Sequence, residues 1–227
     1  MSEIKFPIYL DHHATTPVDP RVLDEMIPYF TEKFGNASSL DHTFGYDASV
    51  AVEDARETIA NAIGARHDEI IFTSGATESD NIALIGTMQK YADRGNHLIT
   101  CVTEHKAILD TAKHLEELGK KATYLPVNEY GEIDLEQLEN AITSDTVMIS
   151  IMFANNEIGT IADVAAIGEI AHKHNVIFHT DAAQAVGHIP VNVESMNIDL
   201  MSFSAHKMYG PKGIGALYVR GVKPRVK

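Results

Sequence analysis

Short apolar runs alternate along the chain with amphipathic segments of helical period. Most of the runs are apolar on both faces, which is typical of parallel strands covered by helices on each side of a sheet. The alternation therefore predicts an α/β fold with a mostly parallel sheet and helices on both faces. The seven predicted strands are EIIFT, HLITCV, ATYLPV, TVMISIMF, VIFHTD, LMSFSAHK and GALYVR.

The segments between these strands carry helix start and stop signals. Asp19 and Pro20 open the first helix, which stops before Gly35. The second helix is predicted over about 45–63, with Gly64 as its stop. One further helix is predicted to follow SGATESDN and to end near Gly95, and another is predicted over about 105–118. Two more are predicted over DLEQLENAI, with Asp134 as its cap, and over DVAAIGEIAHKHN, with Asp163 as its cap.

Composition places the chain among soluble globular proteins. The 227 residues are 44% hydrophobic and 22% charged, and no apolar run approaches the roughly 20 residues that span a membrane. Because the N-terminus also lacks a signal-peptide pattern, we expect a cytoplasmic protein. The net charge of -14 argues against a nucleic-acid surface. The single cysteine, Cys101, allows no intrachain disulfide, and the histidine spacings predict no metal site.

Several polar residues follow the predicted strands at their carboxyl ends. In parallel sheets, ligands bind at that edge. We therefore expect side chains that are far apart in sequence to converge on one site. These residues are Thr77, His105, Asn156, Asp181, Gln184, Ser204, His206 and Lys207.

The segment SGATES leads from a strand into a helix. Backbone N–H groups at a helix N-terminus, together with hydroxyl groups, suit a phosphate. The alternative is a plain N-cap in which Ser74 or Thr77 only starts the helix. Neither a Walker loop nor a G-x-G-x-x-G fingerprint is present.

Two polar residues and one imidazole extend this candidate site. A carboxylate at Asp181, directly after an apolar run, needs a cation or a donor, and a pyridinium nitrogen would serve. Gln184, one turn later, would donate to a phenolate oxygen. The imidazole of His105 would stack on an aromatic ring or move protons. The alternatives are an N-cap at Asp181 for AAQAVG and a capping or surface histidine at His105.

Lys207 lies among small residues in SFSAHKMYGPKGIG. Burial lowers the pKa of a lysine, and a neutral amine attacks carbonyl groups. The alternative is a solvated loop lysine, which is how we interpret Lys212. A phosphate site, a carboxylate, a stacking imidazole and a reactive amine together match the chemical groups of pyridoxal 5'-phosphate, which acts as an electron sink.

With these residues in view, the sequence resembles the cysteine desulfurases. These are pyridoxal-phosphate enzymes of the class V aminotransferase family, with the large domain of fold type I. The resemblance keeps family order and covers nearly the whole chain. Its matching runs are YLDHHATTP, FGNASS, TSGATESDN, EHKAIL, NNEIGT, HTDAAQAVGHIPV and SFSAHKMYGPKGIG.

The resemblance implies a role for each site residue. Lys207 would form the Schiff base and His105 would stack on the ring, both acting in proton transfer. Asp181 would pair with the pyridine nitrogen, Gln184 would contact the ring oxygen, and Asn156 would lie near the substrate. The phosphate would bind Ala76, Thr77, Ser204 and His206.

The resemblance also implies what these 227 residues lack. The sulfur-accepting cysteine of the family lies well downstream of the Schiff-base lysine, and Cys101 is expected to be a small buried residue of a strand. The expected parts are an N-terminal arm of the small domain, 1–18, and an incomplete cofactor-binding large domain, 19–227. The fold is thus expected to be truncated before the C-terminal small domain.

The implied reaction converts L-cysteine to L-alanine and passes sulfur onward for iron–sulfur clusters or thio-modified tRNA. The implied partners are a second copy in a homodimer, an iron–sulfur scaffold or other sulfur acceptor, and a complementary C-terminal chain. Two alternatives stay open at this point. One is a selenocysteine or cysteine-sulfinate lyase, or an aminotransferase, of the same fold; the other is a non-catalytic scaffold.

Overall fold

The computed structural model describes residues 6–221, and over this range the chain forms one seven-stranded sheet. The strands are β1 (Ile70–Thr73), β2 (His97–Cys101), β3 (Lys121–Leu125), β4 (Thr146–Ser150), β5 (Ile177–Asp181), β6 (Leu200–Ser204) and β7 (Gly215–Val219). Their order across the sheet is β1-β7-β6-β5-β4-β2-β3. Strands β2 to β6 pair in parallel, whereas β7 runs antiparallel to both β6 and β1. The mostly parallel sheet is thereby confirmed.

The helices begin and end close to the predicted signals. Asp19, Asp134 and Asp163 each accept a backbone N–H at a helix start, and Gly64 closes the second helix in a left-handed conformation, with φ of 72°. The helices are α1 (Pro20–Thr31), α2 (Thr43–Ile63), α3 (Ala76–Lys90), α4 (Lys106–Glu117), α5 (Leu135–Ala141) and α6 (Val164–Lys173).

The sheet is covered on both faces, as its apolar strands require. Side chains from α2, α5 and α6, such as Ile63, Leu138 and Ile167, pack into one core cluster. Those from α3 and α4, such as Leu84 and Ile108, pack into a second cluster with the opposite sides of the same strands. This arrangement confirms the predicted helices on both faces. Within the described part of the chain, no helix is both long and apolar enough to cross a membrane.

Several predicted boundaries were wrong, including the end of TVMISIMF, which stops as a strand at Ser150. Helix α3 ends at Lys90 instead of near Gly95, and residues 91–94 form turns before Gly95, which packs so close to Asp145 that a Cβ would lie 2.1 Å from its carbonyl oxygen. The predicted strand LMSFSAHK ends at Ser204, and Ala205–Lys207 forms a single 3-10 turn. This turn carries Lys207 out of the sheet and toward its carboxyl edge. The predicted tail after residue 221 and the first five residues of the arm lie outside the described residues.

Candidate active site

A cavity of about 700 Å³ lies at the carboxyl edge of the parallel strands. Its volume is in the range of sites for small ligands and cofactors. The predicted convergence of residues on one site is therefore observed in the structure. All of the predicted residues line this cavity: Ala76, Thr77, His105, Asn156, Asp181, Gln184, Ser204, His206 and Lys207.

One end of the cavity is formed by the N-terminus of α3. The cap residue is Gly75, and no side chain caps the helix, so the alternative of an N-cap by Ser74 or Thr77 is wrong. The backbone N–H groups of the first turn are therefore available to an anion. A Glu78 carboxylate oxygen accepts from the Ser74 N–H at 2.5 Å, so this loop already holds one anionic group.

Glycine at two positions allows this loop to approach β7. Gly75 has φ of 156°, a conformation that side chains rarely adopt. Gly215, at the start of β7, lies so close that a Cβ on it would be 2.7 Å from the Gly75 Cα atom. The two backbones thus form a tight cradle beside Ser204, which suits the close approach of a compact anion such as a phosphate.

Asp181 lies further into the cavity, at the end of β5. Its side chain is buried, and one carboxylate oxygen accepts the Ala183 N–H at 2.9 Å. Burial raises the pKa of Asp181, while the Ala183 N–H and the charges of His105 and Lys207 act in the opposite direction. The segment after Asp181 forms turns and no helix, so the N-cap alternative is wrong there. A buried carboxylate that lines a cavity is suited to a cationic group of a ligand.

Lys207 approaches the cavity from the turn after β6. Its ammonium group donates to the carbonyl oxygens of His13 and of Ala14, the latter at 3.0 Å. Burial lowers the pKa of Lys207, and Asp181 and Asp11 partly oppose this shift. The pKa of Lys207 is thus lowered, which is the direction that the sequence predicts. It favours an amine that reacts with carbonyl carbon.

The other predicted residues are held by hydrogen bonds at the cavity wall. His105 caps α4, since its Nδ1 accepts the Ala107 N–H at 3.1 Å, so it is both a capping and a cavity residue. Gln184 donates to the His13 carbonyl at 2.9 Å. The His206 Nδ1 lies 3.1 Å from the Thr15 hydroxyl oxygen.

Sequence reasoning missed His13 as a member of this site. Its ring contacts the Asn156 carbonyl oxygen, and its own carbonyl accepts from Gln184 and Lys207. The arm that carries it is anchored by Thr16, whose N–H and hydroxyl both donate to the His206 carbonyl. The run YLDHHATTP contained the residue, but only the fold brings it to the lysine.

A layer of buried polar residues beneath the site was also missed. Asp80 and Glu104 are buried. Burial is the largest cause that raises the pKa of each carboxyl well above its usual range, and the charge of Asp181 adds to the shift. Neither carboxylate oxygen of Asp80 makes a hydrogen bond. Its nearest basic group is the His179 Nε2, at 3.7 Å. The available signal was the spacing of Asp80 with Ala83 and Leu84, which places a carboxylate on the apolar face of α3.

The residues present fit pyridoxal 5'-phosphate. An uncapped helix start with a glycine cradle suits its phosphate, the buried Asp181 suits its pyridine nitrogen, and the Lys207 amine suits its aldehyde. The fold is that of the pyridoxal-phosphate-dependent transferases of fold type I.

Within that class, the chain belongs to the aminotransferase class-V family, whose model matches residues 8–224. It is similar to the "Cysteine desulfurase IscS" of Neisseria meningitidis, with 59% identity over 224 residues that cover 99% of this chain and 55% of the relative. The protein of the same name from Rickettsia africae is 55% identical over 227 residues, covering all of this chain and 55% of the relative.

Solved structures agree with these matches. A structure titled "SspA in complex with cysteine" has a TM-score of 0.93 and 44% identity, covering 96% of this chain and 63% of that one. A "NIFS-LIKE PROTEIN" has a TM-score of 0.92 and 45% identity, with 96% of this chain and 60% of that one covered. The chain thus spans about 55% of the length of the curated relatives it matches.

Proposed function

We propose that the chain is the cofactor-binding part of a cysteine desulfurase that depends on pyridoxal 5'-phosphate. The observation that carries the proposal is the convergence of Lys207, Asp181 and the N-terminus of α3 on one cavity. The proposed reaction takes L-cysteine and an acceptor thiol to L-alanine and a persulfide on the acceptor. The names of the curated relatives support this reaction, and the cysteine complex of a similar structure supports the substrate.

Each cavity residue has a proposed task. When bound, the cofactor supplies an electron sink for the carbon atoms of the substrate. Lys207 would hold it covalently through the aldehyde and move protons at the substrate. Asp181 would hold the pyridine nitrogen in its protonated form. His105 would lie on the ring, Gln184 would contact the ring oxygen, Asn156 would lie beside the substrate, and Ala76, Thr77, Ser204 and His206 would hold the phosphate.

The sulfur acceptor is proposed to lie outside these 227 residues. Cys101 is the single cysteine in the sequence, and it is 3% exposed at the end of β2. Burial raises the pKa of its thiol, which lowers the fraction of reactive thiolate. Within the same proposal, residues 19–227 are the large cofactor domain and residues 1–18 are the arm. The acceptor cysteine would come from the rest of a longer protein or from a complementary C-terminal chain.

The exposed apolar surface of α1 supports a further proposal, that two copies of the chain associate. Helix α1 has no buried residue, and Phe30 at its end is 73% exposed. Phe34, 66% exposed, stacks on the ring of Phe44 with centroids 5.8 Å apart. A patch of this kind is unfavourable in water. We propose a second copy as its occupant in a cytoplasmic homodimer, from which an iron–sulfur scaffold or another acceptor protein would receive sulfur.

Light scattering during size exclusion tests the dimer. We expect twice the mass of the chain, and a shift to the monomer for Phe30→Glu. Tyr130→Glu, at an exposed residue far from α1 in sequence, is the control and should stay dimeric. A monomer in the unsubstituted chain would refute this proposal without affecting the cofactor site.

Cofactor loading is the decisive test of the proposed function. The purified chain is mixed with pyridoxal 5'-phosphate, reduced with borohydride and digested, and the labelled peptide is identified by mass spectrometry. We expect a visible absorbance band that borohydride removes, and a label on Lys207. Lys207→Ala should abolish the label, whereas Lys212→Ala, at another lysine of the cavity wall, should retain it. A label distributed over surface lysines would refute the proposal.

The products then separate the remaining alternatives. When a protein carrying the acceptor cysteine is added, a desulfurase yields L-alanine and a persulfide from L-cysteine. A lyase would act on selenocysteine or cysteine sulfinate instead, and an aminotransferase would yield a keto acid. A scaffold would bind its partner equally well after Lys207→Ala.

A further inference from the structure

The hydrogen bonds of His13 determine which of its ring nitrogens carries the proton. The Nδ1 atom lies 3.1 Å from the carbonyl oxygen of Asn156. A carbonyl oxygen only accepts, so in a neutral ring Nδ1 carries the hydrogen and Nε2 carries the lone pair. No residue within 6–221 donates a hydrogen bond to that Nε2. The arm therefore places a histidine whose Nε2 accepts no hydrogen bond from residues 6–221 among the residues that line the cavity.

His105 has the opposite tautomer. Its Nδ1 accepts the N–H of Ala107 at 3.1 Å, so in a neutral ring the hydrogen lies on Nε2. His13 and His105 line the same cavity as Lys207. One imidazole thus offers a proton acceptor and the other a donor, and each tautomer is fixed by a contact to the backbone.

We propose that His13 accepts a proton from the α-amino group of the substrate that enters this cavity. The proposal rests on the proposed function, in which an amino acid reacts through its α-amino group. That group arrives as an ammonium ion and must lose a proton before its nitrogen can act as a nucleophile. The N–H bond of the substrate breaks, its electron pair stays on the substrate nitrogen, and the proton forms a new N–H bond at Nε2 of His13.

The surroundings of His13 support this task. His13 lies in an arm segment whose Asp11 and Ala14 line the same cavity. The amine of Lys207 is occupied by two carbonyl oxygens of the arm. The neighbouring His12 does not line the cavity and instead packs edge-on against Tyr9, with ring centroids 5.2 Å apart. His12 is therefore a matched control in the same segment.

The tautomers are tested first, in the complete chain without cofactor. A long-range ¹H–¹⁵N correlation spectrum distinguishes protonated from unprotonated ring nitrogens, and His13→Asn and His12→Asn assign the signals. We expect an unprotonated Nε2 at His13 and a protonated Nε2 at His105. A protonated Nε2 at neutral His13 would overturn the proposal, whether or not the chain loads the cofactor.

The proton transfer is tested in the loaded chain by the rate at which L-cysteine changes its visible spectrum. Asparagine at position 13 keeps an N–H donor for the Asn156 carbonyl but lacks the base, so His13→Asn should react about 100-fold more slowly. Added imidazole should restore the rate of His13→Ala, and His12→Asn should react normally. An unchanged rate in both position-13 variants, or a slow rate that imidazole leaves unchanged, would overturn the proposal. Absence of loading in the unsubstituted chain would instead count against the proposed function.

Discussion

The side-chain amine of Lys207 donates a hydrogen bond to the carbonyl oxygen of His13, 194 residues earlier in the sequence. The contact joins the turn after β6 to the N-terminal arm, and Gln184 donates to the same oxygen. Since the role proposed for this amine requires it to be free, we expect the position of the arm to affect the lysine.

Loosening the arm should alter the cofactor site from a distance. The hydroxyl of Thr16 donates to the His206 carbonyl at 3.0 Å and accepts the Tyr209 N–H at 2.8 Å, and Thr16 is 3% exposed. Thr16→Val keeps the shape of the side chain but leaves the Tyr209 N–H unpaired and removes one of the two hydrogen bonds to the His206 carbonyl. We expect a loss of about 1–3 kcal/mol in the free energy of unfolding.

Urea denaturation measures that loss, and hydrogen exchange should show faster exchange in the arm. The control Thr31→Val, at the exposed end of α1, should change little. Equal exchange in the arms of Thr16→Val and of the unsubstituted chain would show that these bonds do not hold the arm in place.

Replacing Asp181 should change the affinity for the cofactor more than it changes the stability of the fold. Asp181→Asn keeps the acceptor for the Ala183 N–H but removes the charge that would pair with a pyridinium nitrogen. A hydrogen bond to a charged group contributes about 1.5–3 kcal/mol, so we expect binding to weaken by about 10- to 100-fold. Fluorescence titration with pyridoxal 5'-phosphate measures this. Asp110→Asn, on the exposed side of α4, should bind normally, and tight binding by Asp181→Asn would contradict the assignment.

Asp80 should lower the stability of the fold as the pH rises. Burial first, and then the charge of Asp181, raises the pKa of Asp80 in the folded state. Because the unfolded value is about 3.9, the folded state binds more protons. The stability that Asp80 contributes is therefore present below about pH 4 and is lost as the pH rises through the folded-state pKa.

The substitution Asp80→Asn isolates this effect, since the amide is neutral at every pH. We expect the variant to be more stable than the unsubstituted chain by about 1–3 kcal/mol at pH 8, and by less at pH 5. Urea denaturation at both pH values measures the difference. Asp93→Asn, at an exposed residue after α3, should show no such trend. A difference that does not change with pH would contradict the raised pKa.

His179 should lower the stability of the fold as the pH falls, which is opposite to the effect of Asp80. Burial lowers its pKa to about 3, and its ring bonds to the hydroxyl oxygens of Ser150 and Ser202, each at 2.9 Å. The unfolded pKa is about 6.5, so the unfolded state binds more protons between these values. The stability contributed by neutral His179 is complete above about pH 6.5. It falls by about 1.4 kcal/mol per pH unit as the pH drops toward 3.

Replacing the ring should remove that slope. Between about pH 6 and pH 4, we expect the free energy of unfolding of His179→Gln to change less with pH than that of the unsubstituted chain. The difference in slope should be about 1.4 kcal/mol per pH unit, which corresponds to one proton, even if the variant is less stable throughout. His114→Gln, with an exposed histidine in the last turn of α4, is the control. The same slope in His179→Gln and the unsubstituted chain would show that another group titrates.

Much of the fold followed from the sequence because its signals are local. Runs such as TVMISIMF bury both faces of a strand, and Asp134 and Asp163 cap helices through contacts within three residues. The carboxyl-edge rule then placed Asp181, Gln184 and Lys207 at one site before any distance was known. The close approach of Gly95 to Asp145 could not be predicted, because the two residues are 50 positions apart and meet only in the fold.

Only the tertiary structure decided which further residues belong to the site. His13 meets Lys207 across the whole chain, and Asp80 acquires its raised pKa from strands that the helix alone does not specify. The sequence determined the elements and the residues at the strand ends, since both depend on local periodicity and backbone preference. Burial, tautomer and pKa depend on which surfaces meet, and these were decided when the arm, α3 and the sheet packed together.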